Sequence, residues 1–254
     1  MNKNMQNILA LVIFVIFVQA MYSFWILPNV RALEIIASNT GSILPRNFFV
    51  IVKDLEQQVC FILFFWGMYL CIGKLMQLSS QAYLFEVDLL SDIEDTSNDI
   101  VSTLDSIDKL PLEIKETPLV QITSSALRRY ASTGSIQNAS EAITPALESM
   151  AIKNEAELSV IKYITWAVPS IGFLGTVRGI GQAMSQAESA VAGNIGPMTS
   201  SLGVSFNSTF VALMISVVLM MLVSYLQRTN DDQLVKVQEY CEKYLIRRIS
   251  ISRH

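Results

Sequence analysis

The chain has 254 residues, is 52% hydrophobic and only 16% charged, a composition that excludes an ordinary water-soluble domain and predicts long apolar segments. Its net charge of −4, with no basic stripe interleaved with aromatics, argues against a nucleic-acid partner. The single histidine is His254, the last residue, so histidine metal sites and Ser-His-Asp chemistry lack material, and no enzymatic activity, catalytic residue, metal or cofactor is expected.

Four apolar runs are long enough to cross a hydrocarbon core roughly 30 Å thick: residues 8–27, 55–78, 160–184 and 202–226. The first has Lys3 ahead of it and a small-residue pattern at Val18-Gln19-Ala20, as a cleaved leader would. It continues apolar through residues 21–27, beyond the usual core of a leader, and is read as a retained membrane helix. Residues 28–54 then form an external segment. Cys60 and Cys71 fall in the second run about 16 Å apart along a helix, too far for a disulfide, so free thiols are expected.

Residues 79–159 are polar yet patterned. Leu89, Ile93, Ile100, Leu104 and Ile107 recur at helical intervals among Glu86, Asp88, Asp92, Asp95, Asp99 and Asp105, which predicts amphipathic helices with an acidic, solvated face. Pro111, Pro118 and the cluster Ser132-Thr133-Gly134-Ser135 punctuate them. From Ala139 onward the sequence is helix-compatible apart from Pro145 and runs without a loop signal into the third apolar run, predicting one long helix. Residues 233–251 predict a further helical extension, with Leu234, Val237, Cys241, Tyr244 and Leu245 near one face.

Lys and Arg set the expected orientation. Arg228, Lys236, Lys243, Arg247, Arg248 and Arg253 follow the fourth run, whereas residues 185–201 carry none, so the tail is read as cytoplasmic and that loop as external. With four crossings both termini are cytoplasmic. The expected architecture is all-α and polytopic, with four transmembrane helices and cytoplasmic helical extensions. It divides into the first two membrane helices with their external loop (1–78), a cytoplasmic helical segment (79–159), the third and fourth membrane helices (160–227) and a cytoplasmic C-terminal helix (228–254).

The third run contains "PSIGFLGTVRGIG", superficially a phosphate-cradling glycine loop. It lacks the Lys-Ser/Thr ending and a preceding strand, and in hydrocarbon its backbone must pair internally, so it is read as helix. On a helical projection Gly172, Gly175, Thr176, Gly179 and Ala183 share an arc of roughly 100°. Such a small face serves close helix packing, the lining of a pathway, or both. In the fourth run Ser201, Ser205, Ser208, Thr209, Ala212 and Ser216 form a polar stripe beside Asn207, with Phe206, Phe210, Leu213, Val217 and Met220 elsewhere. The two helices run antiparallel, and counting from the external loop puts Thr176 and Thr209 both about 10–12 Å below the outer surface, a shared polar layer. Neither run contains Asp or Glu, so any ion moved by stepwise protonation needs a carboxylate from another chain.

The segment "EAELSVIKYITWAVPSIGFLGTVRGIGQAM" resembles the central motif of the MotA/TolQ/ExbB proton-channel family, and "SLGVSFNSTFVALMISVVLMMLVSYLQR" is similar to that family's last membrane helix. The resemblance implies an ion-conducting stator subunit of a motor driven by an ion gradient, in the bacterial inner membrane. It further implies five copies around a single-span MotB-, TolR- or ExbD-like partner whose membrane Asp carries the ion, proton or sodium. Four spans match the MotA arrangement best. By position Thr176, Thr209 and Ser205 would line the ion pathway, Pro169 would bend the third membrane helix, and Gly172, Gly175 and Gly179 would pack it. Arg178 stands where the family usually has an apolar or aromatic residue and is expected to meet a carboxylate or carbonyls at a subunit boundary. A non-conducting membrane scaffold and a permease subunit are the alternatives.

Overall fold

In the computed structural model, residues 3–40, 47–85 and 97–246 are described, and every element among them is helical. Glu86, Asp88, Leu89, Asp92, Ile93 and Asp95, together with Arg247, Arg248, Arg253 and His254, lie outside the described residues, as do the side chains of Lys3, Asp99 and Leu245. Four helices are long and apolar enough to cross a membrane, within Met5–Ala37, Leu55–Gln81, Ile136–Ser185 and Gly196–Tyr244. The chain is thus an all-α, multi-pass membrane protein.

The first run departs from expectation at its outer end. Helix α1 (Lys3–Met21) passes through a π-helical turn (Tyr22–Ile26) into α2 (Leu27–Thr40), so the segment starting at Pro28 is helical rather than an external loop. A proline removes a donor and crowds the preceding turn, which normally ends a helix. Here the strain is absorbed just before it. The Leu27 N–H bonds the Tyr22 carbonyl five residues back, and the Asn29 side-chain amide donates to the Trp25 carbonyl at 2.6 Å.

A short helix, α3 (Phe48–Ile51), follows, with Phe49 edge-on to Trp25 at 5.7 Å. Beyond it the Val52 carbonyl accepts the Tyr22 hydroxyl at 2.7 Å. Helix α4 (Leu55–Gln81) is the second span, and its start is encoded locally. Gln57 reaches back to accept the Asp54 N–H at 3.0 Å, half of a capping box, and Glu56 places negative charge in the first turn, where the helix dipole favours it.

Contacts divide the chain into two units. The first comprises Met1–Ile72 and Val160–Ser224. Its core joins Val18, Tyr22 and Ile26 with Cys60, Ile164, Val168, Ala212 and Leu219. The second comprises Gly73–Ser159 and Tyr225–His254. It contains α5 (Ser97–Asp108), α6 (Leu112–Lys115) and α7 (Pro118–Thr133). Ile100 and Ile107 are buried with Leu119, Ile122, Leu127, Ile143, Val237 and Tyr240, and Leu104 packs at the edge, the amphipathic arrangement read from their spacing. Pro118 opens α7, where a missing N–H costs nothing. Gly134 closes it in the left-handed conformation (φ 64°), donating its N–H to the Tyr130 carbonyl at 2.8 Å.

The third and fourth runs lie within α8 (Ile136–Ser185, 50 residues) and α10 (Gly196–Tyr240, 45 residues). A five-residue helix, α9 (Ala187–Val191), and Gly193 at φ 100° connect them. Helix α8 is unbroken at Pro145 and Pro169, and α10 continues through a π-helical turn to Ile246, with Val237 and Cys241 buried on the face read from the sequence.

Candidate functional site

The site is built where α8 and α10 approach. Gly172, Gly175 and Gly179 all face α10, and none has room for a methyl group. A Cβ on Gly172 would collide with the Ala212 side chain, and one on Gly175 would lie 2.6 Å from the Ser208 Cβ. One on Gly179 would lie 3.0 Å from both the Ser201 carbonyl oxygen and the Ser205 nitrogen. The facing stripe is equally small: Ser201, Ser205, Ser208, Ala212 and Ser216 are buried, while Phe206, Phe210, Leu213, Val217 and Met220 point away and are exposed. In a bilayer, where lipid is as apolar as a leucine side chain, such close backbone approach is a main source of helix association.

This packing brings Thr176 and Thr209 together. Their hydroxyl oxygens hydrogen-bond each other. Thr209 also donates to the Gly172 carbonyl at 3.2 Å, and Thr176 reaches the Ser205 carbonyl at 3.3 Å and the Gly172 carbonyl at 3.4 Å. Ser205 enters the layer through its backbone oxygen, because its hydroxyl bonds the Ser201 carbonyl of its own helix at 3.2 Å. The buried Ser208 hydroxyl has no hydrogen-bond partner among the described residues.

Pro169 has a specific counterpart. It has no N–H to give the Thr165 carbonyl four residues back, and a carbonyl left bare in hydrocarbon is costly. Ser216 of α10 supplies the donor, its hydroxyl reaching Thr165 O at 3.4 Å. The proline and the serine stripe of the other helix therefore belong to one arrangement.

Arg178, for which the sequence suggests a partner at a subunit boundary, finds carboxylates within its own chain. Its guanidinium donates to Glu56 Oε2 at 2.8 Å, and Asp54 Oδ1 lies 4.0 Å away. The reach is inward, as side-chain direction on a helix dictates: Glu56 packs over Gly175, its Cγ 3.3 Å from where a Cβ there would be. Glycine at 175 thus makes room for Ser208 of α10 and for Glu56 of α4. Burial pushes the Asp54 carboxyl up from the ordinary range, opposed by Lys53 and Arg178 and reinforced by Glu56. Sequence reasoning misses both Glu56 and Asp54. The readable signal is the pairing of a lone arginine in the third span with two carboxylates at the start of the second, both at the expected external end.

Two long antiparallel helices joined through a glycine face, with a layer of hydroxyls between them and charge held at one end, define a multi-pass helical membrane protein. The model of the MotA/TolQ/ExbB proton channel family matches residues 114–239, about half of the chain, and through that segment the chain belongs to this family of channel proteins. The match begins in α6, so it takes in α7 and the polar part of α8 as well as the two membrane segments that carried the resemblance. No curated protein and no solved structure gives a significant match.

Proposed function

We propose that the chain is the ion-conducting subunit of a membrane motor driven by an ion gradient, working in the bacterial inner membrane with both termini in the cytoplasm. Five copies would surround a single-span partner of the MotB, TolR or ExbD kind, whose membrane Asp takes up and releases a proton or sodium ion. The observation that carries the reading is the Thr176–Thr209 hydroxyl pair, set within the glycine face of the family-matched segment. A hydroxyl both donates and accepts, so such a pair can hand hydrogen bonds between water and a carboxylate without itself ionising. Glycines at 172, 175 and 179 keep the helices close enough for the layer to form, and Ser205 adds a carbonyl acceptor.

The mechanism that follows is electrostatic. An ionised Asp presented to the layer is held by hydroxyl donors; protonation or cation binding weakens that hold and lets the partner move relative to the ring. Thr209→Val keeps shape and removes the donor. With an intact complex in vesicles, we expect it to lower ion uptake by at least about tenfold, the equivalent of roughly 1.4 kcal/mol, about one charge-assisted hydrogen bond. Full uptake by an assembled Thr209→Val complex would refute the assignment.

A further inference from the structure

The Arg178–Glu56 pair lies at the external end of the hydroxyl layer, and its charges do not balance. One guanidinium faces two carboxylates, Glu56 at 2.8 Å and Asp54 at 4.0 Å, while Lys53 is engaged with Glu34 at 3.0 Å. With both carboxylates ionised the trio carries a net charge of −1. The carboxylate side chains are only 13% exposed and the guanidinium 41%, so the negative groups line the inner side of the cluster and the arginine its exposed side. Arg178 follows Thr176 by two residues, which puts its charge on the order of 10 Å from the hydroxyl pair. Unpaired, a positive charge there would disfavour any cation reaching the layer by about tenfold at an effective dielectric constant near 20.

We propose that Glu56, assisted by Asp54, is the positioning residue of the outer mouth. It holds Arg178 against α4 and cancels its charge, so that the entrance attracts cations rather than repelling them. Arg178 in turn keeps two carboxylates from facing each other alone at the start of α4. Glu56 is well placed for this because Gly175 leaves space for its stem and it lies in the first turn of α4, where the helix dipole favours negative charge. The proposal deepens the ion-channel reading and rests on it.

A merely structural ion pair and an electrostatic mouth predict different outcomes for the two halves of the pair. If the pair only holds helices together, Arg178→Gln is at least as harmful as Glu56→Gln, since it leaves two largely buried carboxylates uncompensated. If the pair sets the field, Arg178→Gln leaves a more negative mouth that still admits cations. The test measures proton and sodium uptake into vesicles holding the chain co-expressed with its single-span partner, after size-exclusion shows that each variant assembles. We expect Glu56→Gln to lose about tenfold in uptake, Arg178→Gln to retain it, the double variant to recover most of it, and Glu56→Asp to lie near the wild type. The loss in Glu56→Gln should shrink as ionic strength rises and the Debye length falls from about 10 Å to about 3 Å. Retained uptake in Glu56→Gln, or loss in Arg178→Gln, overturns the proposal, and so does a double variant as poor as the single. If Glu56→Gln does not assemble, Arg178→Gln and Glu56→Asp decide alone. A wild-type complex that moves no cation sinks the parent reading, which separates that failure from this one.

Discussion

The link between Pro169 and Ser216 can be tested as a thermodynamic cycle. Ser216→Ala removes the hydroxyl that reaches the Thr165 carbonyl at 3.4 Å, a carbonyl to which Pro169 offers no N–H. Interhelical hydrogen bonds of this kind in membranes contribute about 0.6 kcal/mol on average and up to about 1.7. At 3.4 Å the bond is long, so a cost of about 0.5–1 kcal/mol is expected. The decisive comparison is with Pro169→Ala, which returns a backbone N–H to the same carbonyl and so makes the serine redundant. Ser216→Ala should then cost close to nothing in the Pro169→Ala background, giving a coupling of about 0.5–1 kcal/mol between residues on different helices. Equilibrium unfolding of the purified chain in mixed micelles, with denaturing detergent as the titrant, measures all four corners. If the serine costs the same in both backgrounds, the Thr165 carbonyl is not what joins them, and the proposed coupling is refuted.

Two further substitutions separate glycines that make room from glycines that do not. Gly179→Ala should destabilise by about 1–3 kcal/mol, because its Cβ meets backbone atoms of α10 at 3.0 Å, whereas Gly181→Ala, with nothing within 4 Å, should be neutral or stabilising by about 0.5–1 kcal/mol. Thermal unfolding of the pair in detergent reads the contrast, and equal shifts would contradict it. Gly134→Ala should lower the stability of the second unit by about 1 kcal/mol, since the residue sits at φ 64° with no steric neighbour to blame, and Gly134→Asn should cost less; hydrogen exchange at the end of α7 reports both.

Much of this was legible in the sequence because membrane helices obey simple arithmetic. Thr176 and Thr209 could be placed at one depth by counting residues from a common loop, and their hydroxyls do meet. The small face of α8 and the serine stripe of α10 followed from helical projection alone, since each helix must present its smallest side to its closest neighbour. What escaped was tertiary. Pro28 reads as a helix end, and only the π-helical turn before it and the Asn29 side chain show how the chain continues to Thr40. Glu56 reads as an ordinary first-turn acid; that it serves Arg178 depends on how α4 turns about its axis, which no local pattern fixes. The partial match of the family model follows the same division. It covers the helices that form the hydroxyl layer and leaves out α4, the helix that brings the carboxylates.

The hydroxyl pair has one more consequence. Thr176 and Thr209 own two protons but face four acceptor oxygens, the Gly172 and Ser205 carbonyls and each other's hydroxyls, at 3.2–3.4 Å for the carbonyls. Two protons can be distributed over these acceptors in more than one way by rotating hydroxyl bonds, with every heavy atom fixed. The local dipole between α8 and α10 is therefore reversible at little cost, so this rigid, glycine-packed seam carries an orientational degree of freedom that valine in place of Thr176, which leaves Thr209 only the Gly172 carbonyl, would freeze out.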